Sequence, residues 1–270
     1  MAPIGPSAAD RCARFAELHR RDRLFLMPNA WDVGSARLLA ALGFEALATT
    51  SQGFAWAIGK LDQTVTREEL VAHVAELAVA TPLPLNVDSE RLYPDEPGGI
   101  AETVRLLTEA GAAGCSIEDY DPATGAIDEV GSATERVAEA AQAKGALVLT
   151  ARCESHLYGG TDLDDTIARL VAYRDAGADA VYAPGLTDGG QIAAVVEAVG
   201  VPVNILALPS GPSIEELAAA GVRRVSVGSL LTAAAYGALV AGARELLEQG
   251  TSTYAAGRVP RDLVDSAFGV

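Results

Sequence analysis

The sequence predicts an α/β protein of the (β/α)8 TIM-barrel class, and three observations carry that prediction. Eight short apolar runs recur along the chain, amphipathic stretches with apolar residues at three-and-four spacing lie between them, and no hairpin signal joins neighbouring runs. Parallel strands joined by helices make an all-parallel sheet, and closing eight of them into a barrel leaves no edge. In order, residues 7–20 read as a helix preceding the barrel. The strands follow as "LFLMP" (24–28), "EALATTS" (45–51), "LPLNVD" (83–88), "AGCSIED" (113–119), "ALVLTAR" (146–152), "ADAVYAPG" (178–185), "VPVNILA" (201–207) and "VRRVSVG" (222–228). Helical stretches include "TREELVAHVAELAVA" (66–80), "GGIAETVRLLTEAGA" (98–112) and "DLDDTIARLVAYRDAGA" (162–178). Several helices end in a glycine just before the next strand, as at Gly111 and Gly177, where glycine supplies a left-handed cap. Residues 229–249 read as a long last helix, and the polar tail 250–270 is expected outside the core or against a partner subunit. The competing open doubly wound sheet would need a Gly-x-Gly-x-x-Gly turn after the first strand, and "PNAWDVGSARL" (28–38) has none. With no linker, low-complexity tract or tandem repeat, residues 1–270 are expected to form a single barrel domain with an N-terminal helix and a C-terminal helical extension.

Composition narrows the function. The formal charge of −16 argues against nucleic acid or an anionic membrane as partner, because phosphate binding depends on clustered Lys and Arg. The longest apolar runs are too short to span a bilayer, and the N-terminus shows no signal-peptide pattern. Cys12, Cys115 and Cys153 are odd in number and scattered, which argues for a reducing compartment, the cytoplasm, and against structural zinc.

Barrel active sites lie at the C-terminal ends of the strands, so the polar residues there are the candidates. Alternation puts Asn86, Asp88 and Glu90 on one face after the third strand, and Arg152 and Glu154 on one face after the fifth, with His156 two residues further. Asp62 follows the second unit, Glu118 and Asp119 the fourth, and Asn204 lines the seventh strand. Asp62, Asp88, Glu90 and Glu118 would repel one another at a single rim. A hard divalent cation, Mg2+ or alternatively Mn2+, resolves that repulsion, binding few carboxylates directly and others through its waters. Arg152 can clamp the carboxylate of a small 2-oxo or hydroxy acid. His19 and His73 fall in helices and are expected to face solvent, while Cys115 and Cys153 are expected as buried, inert thiols.

"PNAWDVGSARLLAALGFEALATTSQGFAWAIGKLD", "PLNVDSE", "AGAAGCSIED" and "TARCESHLYGG", in this order, resemble the isocitrate lyase/phosphoenolpyruvate mutase superfamily, and "AGADAVYAPGL", "VPVNILA" and "AAGVRRVSVG" extend the match over roughly residues 10–250. The resemblance implies a modified barrel with Mg2+ at its mouth, 2-oxo acids or their precursors as substrates, and dimers that swap the last helix and pair into tetramers. It implies that Asp62 and Asp88 are metal-site acids, that Glu118 is the acid following the fourth strand, that Arg152 clamps substrate, and that Thr50, Ser51 and Gln52 hold the oxo-acid oxygens. The chain departs from the family where isocitrate and methylisocitrate lyases carry a Lys-Lys/Arg-Cys-Gly-His loop: residues 119–132 read "DYDPATGAIDEVGS", with neither Cys nor His. The Lys and Asn-Ser pair of the mutases and phosphonopyruvate hydrolases are missing too, Asp-x-Asp is Asn86-x-Asp88, and Gly-Tyr-Gly is "LYP" (92–94).

The expectation is a Mg2+-dependent lyase cleaving a C–C bond in a small 2-hydroxy or 2-oxo di- or tricarboxylate through an enolate. Glu118, His156 and Tyr120 are the candidate bases. Two alternatives stand beside it: an oxaloacetate, acylpyruvate or phosphonopyruvate-type hydrolase, and a non-catalytic 2-oxo-acid-binding protein.

Overall fold

The computed structural model describes residues 6–269. Helix α1 (Ala8–Arg20) opens with a reciprocal cap, in which Ser7 accepts from the Asp10 amide and the Asp10 carboxylate accepts from the Ser7 amide. Its apolar face carries Phe15 and Leu18, both fully buried, across the N-terminal end of the barrel. The eight expected runs form the barrel strands: β1 (Phe25–Leu26), β2 (Leu47–Ala48), β3 (Leu85–Val87), β4 (Gly114–Glu118), β7 (Val148–Arg152), β8 (Ala180–Tyr182), β9 (Val203–Leu206) and β10 (Arg224–Ser226). Every barrel pairing is parallel, in the order β1-β10-β9-β8-β7-β4-β3-β2. The two end strands meet through single hydrogen bonds: the Ala48 amide donates to Pro28 O (3.0 Å) and the Ala30 amide to Ala48 O (2.8 Å). That contact closes the barrel.

The remaining helices are α2 (Val33–Ala41), α3 (Ser51–Ala57), α4 (Arg67–Ala80), α5 (Gly99–Ala110), α6 (Val130–Ala143), α7 (Leu163–Asp175), α8 (Gly189–Val199), α9 (Ile214–Ala219), α10 (Leu230–Gln249) and α11 (Arg261–Phe268). The longest strand pair, β4 with β7, runs from Gly114 opposite Val148 to Glu118 opposite Arg152. Gly114 has no room for a side chain, since a Cβ there would lie 2.7 Å from both the Phe15 ring and Val148 O.

Three expectations need correction. Residues 119–132 contain an antiparallel hairpin, β5 (Tyr120–Asp121) with β6 (Ala126–Ile127); its two-residue strands are too short to leave an alternating pattern. His19 and His73 are buried rather than solvent-facing, because both serve as aromatic packing: His73 stacks on Phe54 at 3.8 Å, and His19 sits edge-on to Phe15 and Phe25. Finally, α10 is long and apolar enough to cross a membrane by length and composition alone, although no uninterrupted run suggested it. Among its residues only Thr232 and Gly242 are buried, while Leu239 and Leu247 are 64% and 86% exposed. Leu26, which points outward from β1 where an eighth barrel helix would lie, is exposed as well.

Candidate active site

Strand alternation brings Asn86 and Asp88, Thr150 and Arg152, and Arg224 and Ser226 to the inside of the barrel. There they line one cavity of about 370 Å³ that also takes in Thr50, Ser51, Gln52, Asp62, Tyr182 and Asn204. The β4–β7 register sets Glu118 beside Arg152, and Arg152 is the centre of the charge cluster. Its Nη1 donates to Asp88 Oδ1 (2.5 Å), its Nε to Glu154 Oε1 (2.7 Å), and its Nη2 lies 3.4 Å from Glu118 Oε2. The opposite register neighbour, Tyr182, places its ring 5.3 Å from the guanidinium carbon. Burial opposes the Arg152 charge, but Glu154, Asp88 and Glu118 together hold it firmly ionised.

Asp88 is fixed on both sides. Its Oδ2 accepts from the Ser51 amide (2.9 Å) and its own amide donates to Thr49 Oγ1 (2.8 Å). Thr50 caps α3, its Oγ1 accepting from the Gly53 amide, while Gln52 Oε1 accepts from Ser229 Oγ. Asn204 donates to Ser226 Oγ and accepts from Arg224 Nε, so both ends of its amide are tied to the wall.

The acids divide. Burial, then the nearby Asp88, pushes the Asp62 carboxyl above the usual range. Glu118 is raised well above it by burial, with Arg152 pulling the other way, and its Oε1 accepts from Gln63 Nε2 (3.0 Å). Glu90 does not share the face of Asp88. The strand ends at Val87, and Glu90, Leu92 and Tyr93 all have positive φ (49°, 60° and 50°), a conformation L-residues rarely adopt. Its side chain is turned into a small pocket behind the cavity, against Phe54, His73 and Tyr93, and burial with the Asp88 and Asp62 charges pushes its carboxyl up to about 8. His156 is also turned away: a 3-10 turn over Ser155–Tyr158 breaks the alternation after Arg152, and its Nε2 meets Thr166 Oγ1 at 3.1 Å. Tyr120, on the hairpin, stacks on Tyr158 with ring centroids 3.7 Å apart.

The fit to a divalent cation can be tested on these atoms. Asp62 Oδ1 and Glu90 Oε1 are buried without a hydrogen-bond partner, and three carboxyls are raised, so the acidic side of the site lacks positive charge despite Arg152. Among the described residues no three His, Cys, Asp or Glu side chains converge closely enough to grip one ion directly. The donor set therefore fits a hydrated Mg2+ held mostly through its waters, and not a closed cage.

Several residues of the site carry no sequence signal. Asn29 ties three strand ends together, Nδ2 donating to Thr49 O and Oδ1 accepting from the Val227 and Gly228 amides. Glu154, by contrast, stands beside Arg152 as strand alternation predicts, its amide donating to Asp119 Oδ1 (2.8 Å) and its carboxylate holding Arg152. Gln63 and Arg224 were as unmarked as Asn29. Their side-chain direction depends on the barrel's stagger, and a local pattern does not contain it.

The phosphoenolpyruvate phosphomutase family profile matches residues 15–247. An oxaloacetate decarboxylase of Paraburkholderia xenovorans is 30% identical over 283 residues, covering 99% of this chain and 92% of the relative. A Burkholderia cenocepacia crystal structure described as a candidate lyase or mutase superposes with a TM-score of 0.92 at 49% identity, covering 97% of each chain. The structure of an oxaloacetate acetylhydrolase bound to its product oxalate superposes with a TM-score of 0.85 at 26% identity, covering 98% of this chain and 95% of that one. With the family profile spanning nearly the whole barrel, the chain belongs to the phosphoenolpyruvate phosphomutase family, within the isocitrate lyase/phosphoenolpyruvate mutase superfamily.

Proposed function

We propose that this carbon–carbon lyase of the superfamily is Mg2+-dependent and cleaves a small 2-oxo or 2-hydroxy diacid, the electrons of the broken bond passing into an enolate. That enolate is of pyruvate or a homologue from a 2-oxo substrate, and of the departing fragment from a 2-hydroxy substrate, whose C2 becomes the oxo carbon. One observation carries the reading: a register-locked guanidinium, Arg152, lies among Asp88, Glu118 and Glu154 in a cavity that Thr50, Ser51, Gln52 and Asp62 also line. Asp62, Asp88 and Glu118 would hold the cation, with Glu90 adding negative charge from the pocket behind, and the cation when bound would draw electrons toward the oxo and carboxylate oxygens. Arg152 takes the substrate carboxylate, giving up part of its contact with Asp88. The Thr50 and Ser51 hydroxyls, which line the cavity, would stabilise negative charge on the enolate oxygen, while the Ser51 amide holds Asp88 in place. A 2-hydroxy substrate must also lose its hydroxyl proton. Of the candidate bases, Glu118 is the one inside the Arg152 cluster, while His156 is bonded to Thr166 and Tyr120 is stacked on Tyr158.

A hydrolytic reading stands second, supported by the similarity to oxaloacetate acetylhydrolase and by the absence of Cys and His from residues 119–132. In it, water attacks a carbonyl carbon, the adjacent C–C bond breaks and its electrons leave on the far fragment, as the enolate of pyruvate from an acylpyruvate or that of acetate from oxaloacetate. A screen of C4–C7 oxo and hydroxy diacids for pyruvate or glyoxylate release, with Mg2+, Mn2+ and EDTA arms, decides between turnover and simple binding. Arg152→Ala and Asp88→Ala are each expected to lower kcat/KM by about 100-fold or more, the scale of losing a preorganised electrostatic contact. Unchanged rates in both variants would remove the site assignment.

The exposed apolar face of α10 is assigned to a second copy of the chain, giving a homodimer or a tetramer built from dimers. The cytoplasm suits three free, buried thiols.

A further inference from the structure

The cavity holds a second guanidinium that the reaction above does not use. Arg224 is 2% exposed and lines the cavity at its inner end. Its Nε donates to Asn204 Oδ1 (2.9 Å), its Nη2 to Thr150 Oγ1 (2.9 Å) and its Nη1 to His19 Nε2 (3.0 Å). All three partners are neutral. His19 Nδ1 lies 2.8 Å from Phe15 O, so the proton sits on Nδ1 and leaves Nε2 as the acceptor, and burial draws the imidazole down to about 3. Among the described residues no carboxylate pairs with Arg224, in contrast to Arg152, which has three. A guanidinium has five N–H donors, and three are used here, which leaves two without a protein partner. Burial draws Arg224 down to about 9, with Tyr182 opposing and Arg152 adding repulsion, so it remains a cation at neutral pH.

A buried charge is tolerated when something of opposite sign pairs with it, and here the protein supplies nothing. Position says what does. Thr150, which holds Arg224, precedes Arg152 on β7 by two residues, about 6.5 Å of strand rise, so Arg224 is anchored deeper in the barrel than Arg152. Both line the same cavity.

We propose that Arg224, held by His19, Thr150 and Asn204, binds a second carboxylate of the substrate, so that the site selects diacids able to reach from Arg152 to the cavity floor. This rests on the mouth site proposed above and specifies its substrate class. A carboxylate held at the floor is kept and not expelled as carbon dioxide, so the bond that breaks lies elsewhere in the substrate.

Calorimetric titration of the Mg2+-loaded full-length protein tests this with acid pairs of equal length that differ by one carboxylate: 2-oxoglutarate against 2-oxovalerate, and 2-oxoadipate against 2-oxohexanoate. Oxalate serves as a probe too short to reach the floor. In at least one pair the diacid should bind about 30-fold or more tightly, the scale of one buried charge contact. Arg224→Met should erase that preference while still binding oxalate, and Arg224→Lys should keep part of it. Equal affinities within both pairs for the wild type, or a preference that survives in Arg224→Met, overturn the proposal. The wild-type comparison decides the matter even where Arg224→Met does not fold. Failure of the wild type to bind oxalate removes the mouth site and this proposal with it, a failure distinct from equal affinity within the pairs.

Discussion

The environment of Glu90 opposes its charge: it is buried, turned inward by a positive φ, with an unpartnered Oε1 and the Asp88 and Asp62 charges nearby. Its folded-state pKa, pushed up from 4.5 to about 8, lies above the unfolded value. The stability it contributes is therefore complete below pH 4.5 and is lost as pH rises toward 8. Without divalent cation, Glu90→Gln should gain on the wild type across that window by up to about 1.4 kcal/mol per pH unit, and added Mg2+ should narrow the gap. Urea melts at pH 5, 6.5 and 8 measure this, and a pH-independent difference would contradict it. At this scale the positions of Asp88, Glu118 and Arg152 were legible from the sequence because each ends or directly follows a strand whose alternation holds that far. Glu90 and His156 were not, because the chain leaves extended geometry just before each. His19 and Arg224 were hidden for another reason: a polar side chain facing inward looks locally like one facing out.

Among elements, α3 carries Ser51 and Gln52 and is wedged against α10 at Gly53. A Cβ there would lie 2.5 Å from Thr50 Cγ2 and 2.6 Å from Thr232 Oγ1. Gly53→Ala should cost about 1–3 kcal/mol by overpacking and raise KM, since α3 must shift to relieve the clash. Thermal melts and steady-state kinetics check the two effects together. The hairpin is held from outside by Arg91, which reaches Asp121 (3.0 Å) and Asp128 (3.2 Å), all three mostly buried. Arg91→Ala should speed amide hydrogen exchange across residues 119–128 while the β4–β7 amides keep their protection. Sequence reading found the segment by its missing Cys and His but not its shape, because the ion pairs that hold it come from a residue some thirty positions away.

For the whole molecule, the barrel was legible because eight buried parallel strands each leave an apolar run, and helices with repeated apolar spacing must cover them. The destination of α10 was suggested only by the family resemblance, since among the described residues Leu239 and Leu247 of its apolar face stay exposed. Leu239→Glu with Leu247→Glu should yield a smaller species by light scattering, and an unchanged mass would place the subunit contact elsewhere. The charge layout has a kinetic consequence. A chain of net −16 keeps two cationic groups inside the barrel. A dianion in dilute buffer is repelled over the approach and attracted only after entry, so added electrolyte, by shortening the reach of the outer field, should quicken ligand uptake, the reverse of what charge-steered encounters show.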